Sequence, residues 1–422
     1  MNKENAQDNV DNIVYDLNSL YSAFLAAKKD SDWKPQVQKY EIDFLPNIVS
    51  TKDLLKNREY HSKPSSEFII NERGKVRPIT GLQMSDRVIR HSLCDNVLSP
   101  SLIDYLIYDN GASLKGKGID FSRKRFEEHL HKYYRMYGND GYILLMDYSK
   151  FYDNIPHDIA YREIAKHVND EFSLWLLQQI FDNFKIDVSY MNDEEFSNCM
   201  NVPFNSTEYR LKIPKSAHIG EKYMRKSVNI GDQCSQIIGI FYPTPVDNFV
   251  KIVKSQKFYG RYMDDSYVIH RDREFLVQLE IEIAEKAKEL GMTLNRKKTR
   301  IVKLSDYYKF LQITYSLTDT GRVIRKINPR RIVDMRRKLK KLSLKVIRGE
   351  RTQEEVENMF RAWMGGHAHL MSKIQRDNLN LLYFDLFGGF IDGKYYLQYY
   401  PRRQNRDSRH NEWKQLYNRR CG

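Results

Sequence analysis

Cysteine is scarce in this 422-residue chain: Cys94, Cys199, Cys234 and Cys421 stand far apart with no CxxC pair, which argues against a disulfide framework and a zinc finger. Idle thiols in a reducing compartment are the simpler expectation. Long apolar runs are missing as well. No stretch approaches the ~20 residues of a membrane span, and the start MNKENAQDNVDN has no basic region followed by an apolar one, so a cytoplasmic protein with no membrane partner is expected. There is no internal repeat and no low-complexity linker. The glycine-punctuated loop GASLKGKG at 111–118 lacks the spaced GK[ST] ending of a Walker A motif.

Charge and aromatic residues are plentiful. Lys plus Arg number 69 against 55 Asp plus Glu, a formal charge of +14 that favours a polyanionic partner. Hydrophobic residues make up 41% of the chain, with 29 Tyr and 20 Phe, too much burial potential for a disordered polymer. The length exceeds one compact core and suggests two or three connected subdomains.

Residues 1–62 read as a helical extension, with helical apolar spacing over Ile13–Ala27. FII, the turn signal NERGK and VRPI then predict a β-hairpin carrying Arg73, Lys75 and Arg77. Helices are predicted over 84–98, with Ser85 as N-cap, over 120–137 and over 160–183. Residues 184–228 are polar and read as an irregular insertion. A helix bent near Pro243 and Pro245 follows, then a hairpin over 260–270, a helix over 273–290 ended by Gly291, and short strands. From Pro329 the pattern is purely helical: three amphipathic segments over 328–388, then a basic aromatic tail over 389–422.

Three acids stand isolated among apolar neighbours. Asp147 closes the run YILLM, and Asp264 and Asp265 sit at the turn of GRYMDDSYVIH. Burying carboxylates together costs several kcal/mol unless cations neutralise them. Hard divalent ions with oxygen ligands are the economical answer. A pair of them about 3.5–4 Å apart can activate a hydroxyl and stabilise a leaving pyrophosphate.

FYGRYMDDSYVIH and ILLMDYSKFYDNIPHD together resemble the palm of reverse transcriptases, the former matching the YxDD motif and the latter the metal-binding motif upstream of it. Six motifs occur in that family's order over about 66–388: RGKVRPI, DYSKFYD, IGDQCSQ, YMDD, LGMTLNRKKT and FLQITYSL. The resemblance implies an α+β right-hand polymerase, with fingers and palm over 63–327 (an antiparallel sheet plus helices, interrupted by the 184–228 insertion) and a three-helix thumb over 328–388.

Carried over residue by residue, the resemblance implies two Mg²⁺ ions, with Mn²⁺ as a substitute, bound by Asp147 and Asp264, with Asp265 adjacent and contributing less directly. Tyr152 falls where the family has an aromatic gate against a ribose 2′-OH. Lys75 and Arg77 match the residues that grip the incoming triphosphate, and Lys298 matches a lysine near the pyrophosphate, a candidate general acid. FLQITYSL resembles the primer grip. Where many family members have Gln–Gly followed by Ser–Pro, this chain has Ile230–Gly231 followed by Ser235–Gln236. Ile230 cannot hydrogen-bond at the nucleotide, so relaxed base discrimination is expected.

Between Arg330 and Lys341 seven cations face one acid, Asp334, and Arg330, Arg331, Arg336, Arg337, Lys338 and Lys341 are candidate contacts to a nucleic-acid backbone. His367 and His369, spaced i, i+2 on a helix, read as structural. No RNase H-like, HNH-like or zinc-finger constellation appears outside the polymerase core.

The expected activity is therefore RNA-directed DNA polymerisation from dNTPs. The pattern is similar to bacterial reverse transcriptases of the group II intron-like kind. The IGxxxSQ form resembles diversity-generating retroelement enzymes, and related patterns are expected among abortive-infection and other defence-associated ones. Extra length favours defence against phage, with a structured noncoding RNA as dedicated template for a cDNA product, over diversification. An accessory protein or a second copy could join it. A binding-only RNA protein with a decayed polymerase fold is the alternative of another class, against which intact Asp147, Asp264, Asp265 and Tyr152 argue.

Overall fold

The computed structural model describes residues 12–72 and 75–388. Arg73, the side chain of Lys75, Cys421 and the basic aromatic tail therefore lie outside the described residues. The chain divides into two compact units between Lys303 and Leu304.

In the first unit, α1 (Leu17–Lys28) starts where the Asp16 carboxylate accepts from the Asn18 and Ser19 amides, and it buries Leu20, Ala23, Phe24 and Ala27. Two more helices follow, α2 (Pro35–Ile42) and α3 (Phe44–Lys56). β1 (Ser66–Glu72) and β2 (Lys75–Gly81) form the expected hairpin, with Ile70 opposite Arg77. α4 (Met84–Leu93) packs on α1 and differs from the predicted 84–98 helix. Gln83, not Ser85, holds its N-cap position, and Cys94–Leu98 widens into a π turn before α5 (Ser99–Leu102). α6 (Ile119–Tyr137) stops at Gly138.

β3 (Tyr142–Met146) is apolar throughout because it lies inside a sheet. The predicted helix over 160–183 is two, α7 (His157–Ala165) and α8 (Glu171–Phe184), because the Asp170 carboxylate caps a new start at the Ser173 amide. The region expected to be irregular also has order. β4 (Ile186–Asp187), α9 (Asp193–Asn201), α10 (Ser206–Lys212) and β5 (Tyr223–Met224) surround a small core of Ile186, Val188, Met191, Phe204, Tyr209 and Met224. Asn192 and Asn205 cap these helices, so they need little apolar periodicity to form.

α11 (Gln233–Phe241) and α12 (Thr244–Asn248) are separated at Pro243. β6 (Tyr259–Tyr262) and β7 (Asp265–His270) form a hairpin, α13 (Arg273–Glu289) crosses behind, and β8 (Arg300–Lys303) closes an antiparallel sheet of order β6-β7-β3-β8. Cys94 and Cys234 are free thiols whose sulfurs lie 3.2 Å apart in the core, 140 residues apart in sequence.

The second unit holds a three-stranded sheet, β9 (Tyr308–Phe310), β10 (Ile313–Leu317) and β11 (Val323–Ile327), in the order β11-β10-β9. Three helices follow it, α14 (Pro329–Ile347), α15 (Gln353–His367) and α16 (Lys373–Phe387). Thr352 and Ser372 complete capping boxes with Glu355 and Gln375. Met335, Leu339, Val356, Phe360, Leu379 and Tyr383 form the buried side, with Phe360 stacked on Tyr383 at 5.0 Å. Among the described residues, no helix is long and apolar enough to cross a membrane.

Candidate active site

Strand register builds the site. β3 and β7 run antiparallel, and their last pair is Met146 with Ser266. One step further along the same register sets Asp147 opposite Asp265, so the acid that closes one strand meets the acid that opens the other. Asp264 precedes Asp265 in the two-residue turn of the β6–β7 hairpin, where Tyr262 pairs with Asp265. The first turn residue, Met263, has φ of 55°. Glycine is the usual occupant of such a position, and a side chain there costs about 1–2 kcal/mol.

Residues 293–298 lie beside the end of β3. The Asn295 amide donates to the Asp147 carbonyl at 2.7 Å, and the Ser149 amide donates to the Thr293 carbonyl at 2.8 Å. This docking brings the Lys298 ammonium to 2.6 Å from Asp147 Oδ2 and the Asn295 side-chain amide to 3.4 Å from Oδ1. Burial, followed by the negative charges of Asp264 and Asp147, pushes the Asp265 carboxyl up to about 7, with Lys298 opposing the shift.

Three carboxylates with one ammonium leave uncompensated negative charge. The all-oxygen donor set suits a hard divalent cation, whose charge would offset both the burial and the repulsion that raise the Asp265 carboxyl. Among the described residues, no three acidic, His or Cys side chains are grouped so as to hold a metal ion by themselves. The donors fit an open site, in which substrate oxygens and waters complete the coordination.

Tyr152 stands in the turn Phe151–Asn154, after Lys150 at φ of 48°. Its hydroxyl lies 3.7 Å from Met263 Sδ. Its ring rests on Gly239 of α11, where a Cβ would come within 2.9 Å of the hydroxyl, so only glycine lets the ring approach this closely. Burial first, then the Asp264 and Asp232 carboxylates, raise its hydroxyl well above the usual phenol range. The Tyr152 carbonyl accepts from the Val228 amide at 2.9 Å, which ties this turn to the segment leading to Ile230 and Gly231. Gly231 has φ of 103°, and a Cβ there would meet Ile79 of β2 at 3.4 Å. The hairpin carrying Arg77 therefore abuts the segment carrying Ile230, Gly231 and the exposed Gln236.

Several buried residues around the site do not stand out as site residues in the sequence. Asp232 caps α11 and forms an ion pair with Arg90, both almost fully buried. Arg261 and Asp247, also fully buried, form a second pair behind the acidic turn. Arg261 and Asp247 share the signal that marks Asp147, a charged residue alone in an apolar run: FYGRYM and FYPTPVDNFV.

In the second unit, Arg330, Arg336, Arg337, Lys338 and Lys341 are exposed on α14. Arg331 differs, since its guanidinium reaches His367 Nε2 of α15 at 2.8 Å. His367 Nδ1 is occupied by the Trp363 carbonyl at 2.8 Å.

Residues 62–315 match the family model described as reverse transcriptase (RNA-dependent DNA polymerase). No curated protein sequence matches the chain. Among solved structures, a telomerase from Candida albicans in complex with a TWJ fragment of telomeric RNA is similar at 15% identity and a TM-score of 0.41. The match covers 65% of this chain and 46% of that one, so the chain spans less than half of that protein's length.

Proposed function

The chain belongs to the reverse transcriptase (RNA-dependent DNA polymerase) family, and from that premise we propose that it copies an RNA template into DNA at the Asp147, Asp264 and Asp265 site. The family brings with it the α+β right-hand polymerase fold, nucleotidyl transfer, an RNA template, dNTPs and a general use of divalent metal ions. The observation that carries the proposal is the β3–β7 register, which sets Asp147 opposite Asp265 beside Asp264.

In this reading Asp147 and Asp264 hold two Mg²⁺ ions, with Mn²⁺ as a substitute, and Asp265 supports them. When bound, the ions lower the pKa of the primer hydroxyl and stabilise the leaving pyrophosphate. Lys298 donates a proton to the pyrophosphate side, and Lys75 and Arg77 hold the triphosphate. Tyr152 closes the space a ribose 2′-OH would occupy. Ile230, Gly231 and Gln236 line the nucleotide and template side, where the absence of a hydrogen-bonding group at Ile230 relaxes base selection. The exposed cations of α14 neutralise duplex phosphates.

The biological reading is a bacterial, group II intron-like enzyme that makes cDNA from a dedicated structured noncoding RNA in the cytoplasm, in defence against phage. The IGxxxSQ form of Ile230–Gln236 favours a second reading, a diversity-generating retroelement enzyme with an accessory protein.

Primer extension on an RNA template with dNTPs tests the chemistry. Wild type is expected to extend and Asp264→Asn to lose roughly 10³-fold or more. Wild type that binds RNA without extending any primer would leave only the binding-protein alternative. Sequencing the nucleic acid that co-purifies from the native host tests the role: one discrete noncoding RNA with matching cDNA supports defence, and cDNA of a repeat beside a variable-protein gene supports diversification.

A further inference from the structure

We infer that Arg261, clamped by Asp247, is a positioning residue that holds the acidic turn in its working geometry; this rests on the polymerase reading above. Arg261 is 1% exposed, and its guanidinium bonds in several directions. Nε donates to both carboxylate oxygens of Asp247 at 2.9 Å, and Nη2 donates to Asp247 Oδ2 at 2.7 Å. Nη2 also donates to the Ile240 carbonyl at 2.7 Å, near the end of α11. Nη1 donates to the Met263 carbonyl at 3.0 Å.

Charge balance alone would need only the pairing with Asp247. The bond to Met263 goes further, because Met263 is the positive-φ residue whose carbonyl leads directly into Asp264. A peptide plane next to a strained residue has a competing relaxed orientation, and rotating it would swing the Asp264 backbone. Nη1 holds the carbonyl in one orientation. The other end of the clamp is equally fixed, since Tyr259 donates to Asp247 Oδ1 at 2.6 Å. The backbone of Arg261 is pinned as well: its amide donates to the Asp109 carbonyl at 3.1 Å, and its carbonyl accepts from Gly111 at 3.4 Å.

The same guanidinium connects two functional elements. α11 carries Gly239, on which Tyr152 rests, and ends in the Ile240–Phe241 turn whose carbonyl Arg261 holds. One planar fork thus sets the acidic turn relative to the helix behind Tyr152. Lysine cannot replace it, because a single ammonium cannot span the carboxylate and two carbonyls lying in different directions.

The test measures the single-turnover rate of dNTP addition at saturating dNTP, a quantity independent of the fraction of folded protein, together with dNTP KM and thermal melting. Arg261→Lys is expected to slow the step roughly 10–100-fold, the scale of a displaced reacting group, with KM unchanged within about twofold. The apolar double variant Arg261→Met/Asp247→Leu removes both charges, so it should melt at a higher temperature than Arg261→Met alone while staying as slow as Arg261→Lys.

An Arg261→Lys rate within twofold of wild type, or a double variant that recovers rate along with melting temperature, makes the pair a structural brace and overturns the inference. So does the failure of both variants to melt cooperatively. Wild type without RNA-templated extension overturns the polymerase reading instead.

Discussion

The Lys298 ammonium lies 2.6 Å from Asp147 Oδ2, although the two residues are 151 positions apart in the chain. The lysine is half exposed and the carboxylate buried, so the pair partly neutralises the acidic cluster while staying open to exchange. Such a pair contributes only about 0–1 kcal/mol.

On the proposed reading, Lys298 and a divalent cation would compete for Asp147. In Lys298→Ala, the rise in melting temperature on adding Mg²⁺ or Mn²⁺ is expected to exceed the wild-type rise by about 1–3 °C, while primer extension falls. Differential scanning fluorimetry with and without chelator reads the first effect. Equal cation-induced shifts in the two proteins would show that the ammonium does not guard the site.

Gly239→Ala places a methyl group 2.9 Å from the Tyr152 hydroxyl and 3.1 Å from its ring. Alanine favours the helix by about 1 kcal/mol, so stability should hold while the ring is displaced. The KM for dNTPs is expected to rise severalfold. Tyr152→Ala acts in the opposite sense, opening the space and lowering discrimination against rNTPs by roughly tenfold or more, about 1.4 kcal/mol. Competition assays with dNTP and rNTP mixtures decide it, and unchanged sugar selectivity in both variants removes Tyr152 from the substrate.

His157 sits in the core with Nε2 at 2.6 Å from the Ser227 carbonyl, and burial lowers its pKa to about 4. The unfolded chain takes up this proton near pH 6.5, so stability is fully present above that value and is lost as pH falls toward 4. His129, also lowered to about 4 by burial, acts in the same direction. The raised Asp265 carboxyl acts the other way, so the useful quantity is variant minus wild type. His157→Gln, which can still donate to Ser227, should melt a few degrees lower at pH 7.5 and lose less on acidification to pH 4.5. Parallel melting curves across that range would mean His157 is not held neutral.

Lys338 and Lys341 are exposed on α14. Replacing both with Gln is expected to weaken binding of an RNA–DNA template–primer and to reduce the slope of log K against log salt by about 2, one unit for each phosphate no longer neutralised. Fluorescence anisotropy over a salt series measures it. A slope that stays the same places the duplex elsewhere.

Much of the site can be read locally. The run YILLM closing on Asp147 is a strand because it is apolar throughout, and the β6–β7 hairpin follows from alternating apolar and aromatic residues around MDD. The fold class and the family follow from the order of such segments. Helix ends are less legible: Asp170 starts a second helix inside one apparent run, and Asn192 and Asn205 build helices in a stretch with little periodicity.

Residue types and their order along the chain are thus determined by the sequence itself, because turns, caps and apolar periodicity act over a few residues. Tertiary structure alone decided which distant groups meet. Lys298 reaches Asp147 because residues 293–298 dock on the end of β3, and Arg261 reaches Asp247 and the Ile240 carbonyl because α12 and the end of α11 lie behind the hairpin. Those partners are set by strand register and helix packing, which depend on the whole core and leave no mark in any single segment.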